Sequence, residues 1–132
     1  MSISEANDPS LVLGVSLPVV DEDQVSLLLP RPGEDDSMLQ ELLGIFEAES
    51  EPRLKQIKIS CESQDAESLG KLVHFIAGSS ANLGALRLST LCRQVETALG
   101  RNEFFGYDAL PGLLDNEYKK GLNALKAVAL HN

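Results

Sequence analysis

His74 is the residue of this chain with the most to offer chemically. The only other histidine, His131, sits in the last two residues, where a helix end is expected to fray. An imidazole can act as nucleophile, general base or metal ligand at neutral pH. A general base would need a nucleophile to activate, and no Ser, Cys or carboxylate pattern forms such a pair with His74. A metal site would need more than one exposed histidine with Glu67 on the same face, so no metal or other cofactor is expected. Cys61 and Cys92 lie 31 positions apart without a CxxC spacing, and both read as buried, reduced thiols acting as small core residues. What survives is a histidine that either reacts by itself or is an ordinary solvated side chain.

The neighbours of His74 bear on that choice. At about 100° per residue in a helix, Leu69, Leu72, Val73, Ile76, Ser80 and Leu83 gather on one side and His74 falls on the other. Its face is shared by Glu67, Gly70, Lys71, Ala77, Gly78 and Ala81, a surface almost without bulky groups on which another protein could settle. Each glycine inside a helix costs roughly 1 kcal/mol relative to alanine, a noticeable part of a stability of about 5–15 kcal/mol. Gly70 and Gly78 therefore need a use, either access to His74 or close helix packing. An exposed imidazole, with an ordinary pKa near 6.5, keeps a nitrogen lone pair available for phosphoryl chemistry. Such transfer asks of the protein little beyond in-line approach and charge stabilisation.

The elements that must hold this histidine are all helical. Asp21 or Asp23 caps a short helix through Leu29, stopped by Pro30, Pro32 and Gly33 and expected to lie as a lid on the rest. Leu39, Leu42, Leu43, Phe46, Leu54, Ile57 and Cys61 recur at helical spacing from Asp35 to about Cys61, and Pro52 is expected to kink or divide this long helix. Asp65 caps a third helix running to Leu83, with Gly84 placed as a left-handed C-terminal residue. Leu88, Leu91, Cys92, Val95, Ala98 and Leu99 form the stripe of a fourth, ending near Gly100. Asp108 caps a fifth, with Pro111 in its first turn and Leu110, Leu113, Leu114, Tyr118, Leu122, Leu125 and Val128 on its buried face. Four long helices on short connections predict an all-α fold: an antiparallel up-and-down four-helix bundle with a short additional N-terminal helix. The domain reading is a tail over residues 1–20 and a bundle over 21–132.

Composition narrows the partners. A formal charge of −9 over 132 residues disfavours nucleic acid and anionic membranes, both of which select for Lys and Arg. The acidic N-terminus is unlike a signal peptide, and the apolar stretch Leu11–Val20 is too short to span a bilayer. A soluble, cytoplasmic monomer is expected. Hydrophobic residues make up 43% of the chain but aromatics only 5%, so the core must come from Leu, Val, Ile and Ala, a mixture that favours helices.

The stretch HFIAGSSANLGALRLSTLCRQVE, from His74 to Glu96, closely resembles the signature of histidine phosphotransfer domains, a histidine followed by glycines four and ten positions on. His74, Gly78 and Gly84 fit that spacing, and Ser79, Ser80, Ala81, Asn82, Leu83, Ala85, Leu88, Cys92 and Glu96 agree further with residues common in the family. The likeness extends more weakly, through helix order, over about residues 21–128. It implies a phosphorelay intermediate rather than an independent catalyst. Phosphate would arrive from an aspartyl phosphate on a receiver domain, rest on His74, and leave for the aspartate of another receiver. The partners implied are response-regulator receiver domains or a hybrid sensor histidine kinase, with the receiver holding the Mg²⁺.

One departure stands out. The family usually carries a lysine three residues after the histidine, where this chain has Ala77. Lys71, one turn before His74, is a candidate replacement for that charge, although Glu67 at i−4 is placed to pair with it. The competing function is an adaptor that keeps the bundle and binds receivers or kinases without carrying phosphate.

Overall fold

The computed structural model describes residues 17–35 and 37–130; His131 and most of the expected tail lie outside the described residues. Five helices follow in order, α1 (Glu22–Leu28), α2 (Ser37–Glu62), α3 (Ala66–Leu83), α4 (Leu86–Gly100) and α5 (Leu110–Leu130), and no strand occurs among the described residues. Helix α2 packs on α3 and α5, and α4 on the same two, which closes a four-membered bundle, while α1 lies against α3.

The apolar stripes seen in the sequence are the ones that meet. Leu39, Ile57, Leu69, Val73, Ile76, Leu88, Leu91, Val95, Leu110, Leu114 and Leu125 are all fully or almost fully buried. Burying a Leu or Ile contributes about 1.5–3 kcal/mol, so this interior is what holds the bundle against chain entropy. Leu42, Leu72, Leu99, Leu113 and Val128, placed on the same faces, end up at the margins of the core and only half-buried. Phe46 and Tyr118 stack obliquely at 5.6 Å across α2 and α5. Cys61 and Cys92 are free and buried, and burial pushes the Cys61 thiol up to about 11, with the carboxylate of Asp108 adding to the effect.

The ends of the helices follow local rules. Asp21 caps α1 by accepting from the amides of Asp23 and Gln24 at 3.1 and 3.2 Å. Asp65 caps α3 through the Ser68 amide at 3.1 Å. Gly84 ends α3 with φ +87°. A Cβ at Gly84 would stand 2.8 Å from Val25 Cγ2 and 3.2 Å from the Asp21 carbonyl, because α1 seats itself directly on this turn. The Asp21 amide donates to the Gly84 carbonyl at 2.8 Å, and the Gln24 side-chain amide to the Asn82 carbonyl at 2.8 Å. The short helix thus covers the α3–α4 end of the bundle, with Val25 buried.

Of the two outcomes expected at Pro52, division of the helix does not occur: helix α2 runs unbroken through it for 26 residues. A proline withdraws the bond from its own nitrogen to the carbonyl four residues earlier, and its ring crowds that same carbonyl. Both Pro52 and Ala48 are exposed, so the carbonyl left over lies on the solvent side of the helix, where water can satisfy it.

Candidate functional site

His74 stands midway along α3, with 72% of its side chain exposed. Helix α4 lies on one flank of α3 and brings Glu96 to it, with Nδ1 of His74 2.5 Å from Oε2 of Glu96. A carboxylate offers only acceptors, so the bond requires Nδ1–H to donate. The lone pair then resides on Nε2, on the side of the ring turned away from Glu96, and the half-buried carboxylate is placed to balance positive charge that develops on the imidazole.

An open depression runs from this pair along the α3–α4 seam, lined by Glu67, Gly70, Lys71, His74, Glu96 and Leu99. Three of the residues singled out from the sequence, Glu67, Gly70 and Lys71, are therefore brought together with His74. Lys71 reaches Glu67 with Nζ to Oε1 at 3.6 Å, both side chains being largely exposed, so its charge is directed at its i−4 neighbour. Exposed pairs of this kind contribute about 0.3–0.5 kcal/mol.

The remaining members of the expected face divide. Gly78 and Ala81 are half-buried and lie beyond the depression, toward the C-terminal end of α3. Ala77 does not share the exposed face: it is 1% accessible and belongs to the core. The reason is the position of α4. Ala77 is turned some 60° from His74 about the helix axis, toward the seam in which Val73 and Ile76 are also buried. A lysine at 77 would have to leave the helix from a packed position.

The glycines separate the two uses considered for them. A Cβ at Gly78 would meet nothing within 4 Å, and one at Gly70 would come to ordinary contact, 4.0 Å, with Leu99 Cδ1. Packing demands neither glycine, which leaves the openness of the surface beside His74 as what they provide.

Sequence reasoning missed the contact that holds the histidine. Glu96 entered only as one of many residues matching the family signature, because it lies 22 positions away on another helix and beside an apolar stripe rather than in a polar motif. Phe75, directly after His74, also escaped notice. Its half-buried ring carries the guanidinium of Arg53, from α2, at 3.6 Å from its centroid. Among the described residues no cluster of three or more His, Cys, Asp or Glu is arranged to hold a metal, and no helix is long and apolar enough to cross a membrane.

Among the described residues the bundle presents one histidine, an exposed imidazole with Nδ1 held by the Glu96 carboxylate and with Gly70, Gly78 and Ala81 on the same helix beside it. The Hpt domain profile matches residues 41–128. The crystal structure of histidine-containing phosphotransfer protein B (HptB) from Pseudomonas aeruginosa PAO1 is similar to this chain with a TM-score of 0.73 and 26% sequence identity, over 89% of this chain and 99% of that one. No curated protein matches in sequence. The chain belongs to the Hpt domain family, and a histidine phosphotransfer role in a phosphorelay goes with that membership.

Proposed function

We propose that this protein carries a phosphoryl group on Nε2 of His74, taken from the aspartyl phosphate of one receiver domain and delivered to the aspartate of another. The observation that carries the reading is the exposed ring with Nδ1 engaged by Glu96 at 2.5 Å, which leaves Nε2 free. In the forward step the Nε2 lone pair attacks phosphorus. The N–P bond forms as the bond from phosphorus to the aspartyl oxygen breaks, and the carboxylate leaves with the electron pair. The ring keeps its Nδ1 proton, and the Glu96 carboxylate lies against the charge that results. The return step is the reverse on a different partner. The chain acts as a carrier, not as an independent catalyst, a reading supported by its membership of the Hpt domain family and its likeness to a histidine-containing phosphotransfer protein. Its partners are receiver domains of response regulators or hybrid sensor kinases, and a single copy suffices because His74 and Glu96 come from the same bundle. Glu67, Gly70, Lys71, Gly78 and Ala81 belong to the surface on which the receiver docks, the first three in the depression beside His74 and the last two toward the C-terminal end of α3.

The test is incubation of the full chain with receiver domains charged by acetyl phosphate. Wild type is expected to acquire an acid-labile, base-stable phosphoryl label that His74→Gln lacks. Label persisting in His74→Gln would reject the site. A wild-type chain that binds receivers yet never takes up label would favour the adaptor.

A further inference from the structure

The charges around His74 are unevenly placed. The depression on the α4 side holds Glu67, Lys71 and Glu96, with Lys71 already directed at Glu67. On the opposite flank, toward α2, stands Arg53. Its guanidinium lies over the Phe75 ring at 3.6 Å from the centroid, and Nη1 donates to the Glu49 carbonyl at 2.7 Å. It forms no ion pair with any carboxylate among the described residues. A planar cation fixed on both counts has lost little freedom still to be lost on binding, and its other N–H groups keep the fork geometry that suits a carboxylate.

The surroundings extend this feature into a surface. Met38, Ile45, Pro52 and Ile59 recur every seven residues along α2 and are all exposed, Met38 to 67%, Ile45 to 47% and Ile59 to 64%. Seven residues is close to two helical turns, so these side chains form one row on the outer side of α2, and Arg53 adjoins it next to Pro52. An apolar row, an arginine held over an aromatic ring, and that ring's place directly after His74 in the chain have the make-up of a transient interface, in which arginine is over-represented among the residues that matter most.

We propose that Arg53, held over the ring of Phe75, the residue next to His74, is a docking and specificity residue that receives an acidic group of the phosphoryl-donating receiver domain. The inference rests on the carrier reading of His74. In a chain of net charge −9, this fixed cation selects partners that place a carboxylate opposite it, and rejects those that place a lysine or arginine there. It acts on encounter and orientation rather than on the reacting atoms.

Two phosphoryl donors separate the roles. One is the acetyl phosphate-charged receiver that labels wild type fastest. The other is phosphoramidate, a small donor that needs no docking surface and releases ammonia as the N–P bond to His74 forms. With the receiver, Arg53→Ala is expected to raise KM about tenfold while kcat changes by no more than about twofold, and to flatten the rise of KM with salt that wild type shows. Arg53→Lys should restore the salt dependence but only part of the affinity, and Phe75→Leu, which frees the guanidinium, should fall between. Labelling by phosphoramidate should be equal in all of them, with melting temperatures confirming the fold. An unchanged KM and salt response in Arg53→Ala would overturn the proposal. So would an equal loss with both donors, since the arginine would then act through His74 or the fold. A wild type labelled by phosphoramidate but by no receiver would reject receiver docking, while a wild type labelled by neither would remove the carrier reading and this inference with it.

Discussion

At the residue, the carrier reading depends on which ring nitrogen of His74 carries the proton, and the contact with Glu96 favours Nδ1. Two effects act through one contact: the carboxylate accepts from Nδ1–H, and its charge lies beside a ring that becomes more positive as phosphorus approaches. They are separable. Glu96→Gln retains an amide oxygen able to accept from Nδ1–H but removes the charge, whereas Glu96→Ala removes both. A single electrostatic contact to developing charge is worth on the order of 10²-fold in rate at enclosed sites and less where water competes. With Glu96 36% exposed, Glu96→Ala is expected to slow labelling of His74 by phosphoramidate about tenfold, with Glu96→Gln in between. Ring ¹⁵N chemical shifts should show one dominant tautomer in wild type and a mixture in Glu96→Ala. Equal tautomer populations in wild type and Glu96→Ala would show that the contact does not orient the lone pair.

At the element, α3 carries glycines that its packing does not require. Open space around a Cβ at Gly78 means that Gly78→Ala should stabilise the protein by about 0.5–1 kcal/mol through helix propensity alone, seen as a higher melting temperature. The same substitution narrows the approach to His74 by one methyl group. Gly78→Leu should then leave stability near wild type while slowing transfer from a charged receiver far more than labelling by phosphoramidate. Loss of stability in Gly78→Ala would mean that the site is more crowded than its surroundings indicate. Gly84 behaves oppositely: its positive φ and the 2.8 Å approach of Val25 make it a residue of the fold, which fastens α1 to the end of α3.

Across the whole molecule, apolar packing joins the bundle, and among the described residues one largely buried ion pair adds to it. Arg87 of α4 meets Glu117 of α5 with Nη2 to Oε1 at 3.0 Å, and their side chains are 19% and 2% exposed. Arg87 Nε and Glu117 Oε2 find no partner, so the pair is incompletely satisfied. Breaking a buried pair from one side strands the other charge and costs about 3–5 kcal/mol, whereas replacing both partners by apolar groups of similar size is often neutral or better. Arg87→Met alone is therefore expected to lower stability by about 3 kcal/mol in denaturant titrations, and Arg87→Met combined with Glu117→Leu to regain most of it. A double variant as unstable as the single one would show that the pair is needed for more than the neutralisation of its own charges.

Much of this architecture was legible in the residues themselves. The stripes of α2 to α5, the Asp21 and Asp65 caps and the stop at Gly84 depend on contacts within a few positions of chain, where helical periodicity and capping chemistry act directly. The exposure of His74 followed from the same periodicity, because a residue opposite a dense apolar stripe has nowhere to go but water. The tertiary structure decided what periodicity alone leaves open, namely which flank of α3 is covered by which neighbour. Helix α4 settled on the Ala77 side, burying that alanine and carrying Glu96 to the imidazole. Helix α2 settled on the other, carrying Arg53 onto Phe75 and continuing unbroken past Pro52. A helix specifies its own buried face through a 3.6-residue repeat, but the partners of side chains at the margin of that face come from segments distant in sequence, and only the assembled bundle brings them within reach.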